Sequence, residues 1–129
     1  MKDGLVPGAQ AEVSFEVTDA MCPIFDAVVV HPVCATWTLV QYMEVAGRKV
    51  LIEHLESDEE GVGSRVICDH LGTAKIGRTV RVVATVADVT GHELVCDLAA
   101  FVGERKIARG QTVQRILPRP ALERIFKRG

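Results

Sequence analysis

The spacing of apolar residues changes period once along this chain, and that change limits the folds open to it. Between residues 36 and 54, Leu39, Met43, Ala46 and Val50 recur at helical spacing, with Val40, Gly47 and Leu51 beside them. This stretch is expected to be the one long helix. Most of the remainder alternates with period two, as strands with one buried face do. Residues 11–17 set Val13, Phe15 and Val17 against Glu12, Ser14 and Glu16, and residues 64–71 set Val66, Cys68 and His70 against Ile67, Asp69 and Leu71. Residues 79–89, 93–102 and 106–117 continue the pattern, joined by the short turns Thr90-Gly91-His92 and Gly103-Glu104-Arg105. Three long strands joined in this way form an antiparallel meander. Residues 21–25 read as a loop, 27–30 as a short strand, and the acidic run ending at Gly61-Val62-Gly63 as an exposed loop.

The expected class is α+β, an antiparallel sheet with one long helix. One helix covers one face of such a sheet and leaves its edges open, so pairing with a second copy is the economical solution. Thr36 and Thr38 are candidate N-caps, and Thr38 with Gln41 has capping-box form. Gly47 inside the helix costs about 1 kcal/mol against Ala, which implies close packing against a sheet or a ligand. Ala108, Gly110 and Thr112 share one face of the last strand, where the helix can approach closely. At 129 residues the chain is one domain, expected over residues 1–117, with 118–129 as a C-terminal tail or short helix.

Charge excludes some functions. A formal net charge of −2 is too balanced for a protein whose main partner is nucleic acid. The four cysteines, Cys22, Cys34, Cys68 and Cys96, form no C-x-x-C pair, and no histidines stand at ligand spacing. No metal and no cofactor are expected. No stretch approaches the roughly 18 apolar residues a membrane span needs, and a reducing cytoplasm is the expected location.

Three residues could carry chemistry. Glu44 lies beside the apolar stripe of the helix, where partial desolvation would raise its basicity; in the same place a Glu can also simply reach solvent. His70 shares its strand face with Val66 and Cys68 and so points to the core side, as a satisfied core histidine or as a catalytic one. Thr36 opens the helix, where free N–H groups and the positive dipole end can hold an oxyanion. Thr36 and Glu44 are eight residues apart, about 12 Å along a helix, too far to grip one atom unless two helices pair antiparallel.

These residues, in Cys34-Ala35-Thr36, Tyr42-Met43-Glu44 and Ile67-Cys68-Asp69-His70, together resemble the hotdog-fold thioesterases, specifically the fluoroacetyl-CoA thioesterase branch. The likeness runs from the N-terminus to about Leu117. It implies a hotdog fold, a sheet wrapped around one central helix, and a homodimer, possibly a tetramer. It also implies an acyl-CoA substrate bound at the dimer interface, with Thr36, Glu44 and His70 as the catalytic set. The sequence departs from that branch in two places. The segment before Thr36 is shorter and holds only Phe25 where the family has a Phe-rich lid, and Trp37 replaces a small Gly, placing a large ring to line or shorten the acyl pocket. The expected activity is hydrolysis of a small or short-chain acyl-CoA. Arg109, Arg115 and Arg119 are the expected contacts to the CoA phosphates. The alternatives are a non-catalytic acyl-CoA-binding or sensing protein of the same fold, and a hydratase.

Overall fold

A computed structural model describes residues 1–129. Seven strands and two helices follow in the order β1 (Gln10–Glu16), β2 (Ile24–Phe25), β3 (Val28–Val29), α1 (Thr36–Leu51), β4 (Glu59–His70), β5 (Thr79–Val89), β6 (Glu93–Val102), β7 (Arg105–Pro118) and α2 (Arg119–Arg128). Five of the strands make one antiparallel sheet in the order β1-β5-β6-β7-β4. The meander of β5, β6 and β7 is its centre, and β1 and β4 are its open edges.

The helix forms where the apolar period is 3.6 and packs against all five strands. Its buried face is Leu39, Met43, Ala46, Val50 and Leu51, the stripe expected from the spacing. Burying each of Leu39, Met43 and Leu51 contributes about 2 kcal/mol. The facing sheet surface presents Phe15, Val80, Val82, Ala84, Cys96, Leu98 and Ala100, all buried. Gly47 meets the sheet, since a Cβ there would lie 2.8 Å from Thr112 Oγ1. The small-residue face of β7 is therefore where the helix comes closest.

Several local expectations change. Neither threonine caps α1: Ala35 is the N-cap, and the Thr38 hydroxyl donates instead to the Met21 carbonyl, 3.0 Å away. The helix ends at Leu51 and continues as a 3-10 turn, Ile52–His54. Residues 21–25 are not simply loop, because β2 and β3 form a hairpin whose two turn residues, Asp26 and Ala27, both have positive φ (51° and 63°). That is the geometry two-residue hairpins favour. The acidic run is also not loop throughout: β4 begins at Glu59, and Glu60 is held by Arg48 at 2.9 Å and Arg119 at 3.4 Å. These two cations hold Glu60's carboxyl below the usual carboxylate range, after a larger contribution from the Gly61 amide. After β7, α2 packs on the sheet through Leu122, and the Arg119 amide donates to the Asp58 carbonyl at 2.7 Å.

Candidate active site

At the start of α1 the chain brings two of the expected residues together. The Thr36 hydroxyl and His70 Nδ1 are 2.8 Å apart, one from the first turn of the helix and the other from the last residue of β4. Strand alternation turns His70 inwards with Cys68 and Val66, and Asp69 outwards, where it meets Arg109 at 3.4 Å. The Asp69 and His70 side chains therefore do not act as a pair. Nε2 of His70 is buried without a partner, so Nδ1 is the ring nitrogen that faces the site.

Two backbone donors lie beside this pair. The first amides of a helix have no intrahelical acceptor, and no side chain caps α1, so the Thr36 and Trp37 N–H groups are free. With the positive end of the helix dipole they can receive a developing negative oxygen. Trp37 is half-exposed and meets Phe25 of the hairpin edge to face, ring centroids 5.5 Å apart. Cys34 lies two residues before Thr36 but is no competing nucleophile, because burial pushes its thiol up to about 11 and leaves almost no thiolate at neutral pH.

Glu44 is elsewhere in the same chain. Two helical turns on from Thr36, it reaches the middle of β4, where its Oε1 would lie 3.0 Å from a Cβ on Gly63. It is exposed rather than partly desolvated as expected, because β4 is an edge strand and nothing in the chain covers it. Arg48, one turn further along the helix, and Thr112 and Gln114 of β7 line the same small cavity. Sequence reasoning named Thr112 only as a small residue facing the helix and passed over Arg48 and Gln114, although two polar residues at core-facing positions of β7 were a visible signal.

The three arginines assigned to CoA phosphates do not converge. Arg109 points from the outer face of the sheet with Asp69, Arg115 is exposed on the same face, and Arg119 binds Glu60 at the start of β4. No group of three or more His, Cys, Asp or Glu side chains is placed to hold a metal ion, and no helix is long and apolar enough to cross a membrane.

The antiparallel sheet packed against one long central helix is a hotdog fold. The fluoroacetyl-CoA-specific thioesterase family model matches residues 17–120, and the chain belongs to that family. A Thermus thermophilus hypothetical protein described as a thioesterase superfamily member is 38% identical, with a TM-score of 0.93 over 98% of this chain and 93% of that one. A variant of the fluoroacetyl-CoA-specific thioesterase itself is 22% identical, with a TM-score of 0.88 over 98% of each chain. A hot-dog-like protein from Thermanaerovibrio acidaminovorans is 20% identical, with a TM-score of 0.87 over 95% of this chain and 91% of that one. The last two show the shared fold. No curated protein sequence matches the chain.

Proposed function

We propose that the protein hydrolyses a small or short-chain acyl-CoA to the free acid and CoA, at sites completed by two copies of the chain. The observation that carries this is the placement of Thr36 and His70 at one end of β4, a strand with one open edge, and of Glu44 beside Gly63 further back along it. An antiparallel pairing of β4 with its own copy about an axis near Val66 and Ile67 sets His70 of one protomer opposite Gly63 of its partner. Glu44 then arrives beside the partner's Thr36–His70 pair, and burial by the second copy removes it from water. Solved complexes of the fluoroacetyl-CoA thioesterase with acetyl-CoA, and with fluoroacetate and CoA, support an acyl-CoA ligand for this fold.

In this site the Thr36 hydroxyl and the free amides of Thr36 and Trp37 hold the thioester oxygen as it becomes negative. Glu44 removes a proton from the attacking water, or adds to the carbonyl to form an anhydride that water then opens. The C–S bond breaks, and the sulfur leaves as thiolate and takes a proton from solvent or from the Glu44 carboxyl that accepted it from water. Trp37 and Phe25 close the space beside the carbonyl and favour short acyl groups.

A panel of acyl-CoAs with a thiol-reactive dye tests the activity, and mixing variants tests the shared site. Glu44→Gln and His70→Ala should each lose about 100-fold or more in kcat. Unfolded and refolded together in equal amounts, they should regain about a quarter of wild-type activity, because half the dimers are mixed and each has one intact site. No recovery would place all three residues in a single-chain site.

A further inference from the structure

We infer that Thr112 and Gln114 select the acyl group, and that the preferred acyl chains carry a compact, uncharged hydrogen-bonding oxygen. This rests on the reading of Glu44 as the catalytic carboxylate, because both residues line the cavity that Glu44 enters. That cavity, between α1 and the β4–β7 pair, has a volume of about 120 Å³. At roughly 30 Å³ for each water-sized group it has room for about four non-hydrogen atoms.

Two polar groups in its wall have no partner. Thr112 Oγ1 and Gln114 Nε2 are buried and make no hydrogen bond, in residues only 2% and 7% exposed. Their neighbours on that face of β7, Ala108 and Ile116, are apolar and buried, so the two polar side chains interrupt a row that packing alone would fill with hydrocarbon. A buried donor without an acceptor lowers stability, and such groups are rare without a ligand or water to meet them.

Two glycines mark how closely the wall of this cavity is packed. A Cβ on Gly47 would lie 2.8 Å from Thr112 Oγ1 and 3.4 Å from Gln114 Nε2, and one on Gly63 would lie 3.0 Å from Glu44 Oε1. The helical glycine, unfavourable for the helix itself, lets α1 pass this close to β7 with no side chain between.

The donor set defines the ligand. A hydroxyl that donates and accepts, beside a primary amide that does both, matches an alcohol or carbonyl oxygen on the acyl chain. An alkyl chain leaves both groups unpaired. A carboxylate is disfavoured, because the Glu44 charge lines the same cavity and Arg48 is already paired with Glu60 at 2.9 Å.

The test compares matched pairs of thioesters: glycolyl- with propionyl-CoA, lactoyl- with isobutyryl-CoA, and 3-hydroxypropionyl- with butyryl-CoA, plus malonyl-CoA. For the wild type, kcat/KM should favour the oxygenated member of at least one pair by tenfold or more. Thr112→Val and Gln114→Met, each checked for folding by thermal melt, should bring that ratio to near one; either folded variant suffices. Equal rates within every pair, an unchanged ratio in a folded variant, or malonyl-CoA as best substrate would overturn the inference while leaving the thioesterase reading intact. If no thioester is turned over, the reading of Glu44 fails and this inference falls with it.

Discussion

Single residues show how local chemistry is set by burial. Cys34 and Cys96 are buried, and burial pushes both thiols up to about 11. An unfolded chain loses these protons near pH 8.5. The folded state keeps them longer, so the stability tied to the neutral thiols is complete below that pH and is lost as pH rises towards 11. The melting temperature should therefore fall steeply between about pH 9 and 10.5. A Cys34→Ala, Cys96→Ala variant should show a flatter profile, and an equal slope would count against this cause. Glu44 is the opposite case. In the single chain it is exposed and forms no ion pair, so Glu44→Gln should leave the chain folded, with an unchanged far-UV circular dichroism spectrum, while activity collapses.

At the scale of elements, the hairpin of β2 and β3 is the part held least by the core. All four of its strand residues are exposed, and its turn places Ala27 at a φ of 63°, where an L-residue with a Cβ is strained by about 1 kcal/mol. Ala27→Gly removes the strain without changing any packing contact. It should raise stability by roughly 0.5 kcal/mol, measured by urea unfolding. The cost of a freer unfolded chain offsets part of the gain, and a destabilised variant would show that the turn is not as described. This hairpin also explains a local misreading: with two-residue strands, neither period has room to declare itself, and the turn chemistry at Asp26-Ala27 lacks the Gly that normally marks it.

The whole molecule has two open edges that differ. On β1, Lys49 donates to the Glu12 carbonyl at 2.8 Å and Glu12 binds Arg81 at 2.9 Å, so charged groups guard that side. β4 carries the exposed Ile67, with Val45 of the helix and Leu71 also exposed. Ile67→Lys places two like charges near the axis of the proposed pairing and leaves the single chain intact. It should shift the protein towards monomer in light scattering and remove activity with it. A fully active monomer would exclude a shared site.

The long helix starting at Thr36, the long strands from 79 onwards and the inward direction of His70 were legible because period and alternation depend only on neighbours in the chain. Thr36, Glu44 and His70 stood out as residue types on those elements, together with their resemblance to a known family. Their relation was decided in three dimensions. Only the packing of α1 against β4 brings Thr36 within 2.8 Å of His70 and leaves Glu44 beside Gly63, away from that pair. The arginines of the C-terminal third looked equivalent as charges, yet strand alternation and the acids Asp69 and Glu60 send Arg109 and Arg119 to different places. Partners such as these depend on contacts between residues 40 or more positions apart, and local periodicity holds no information about them.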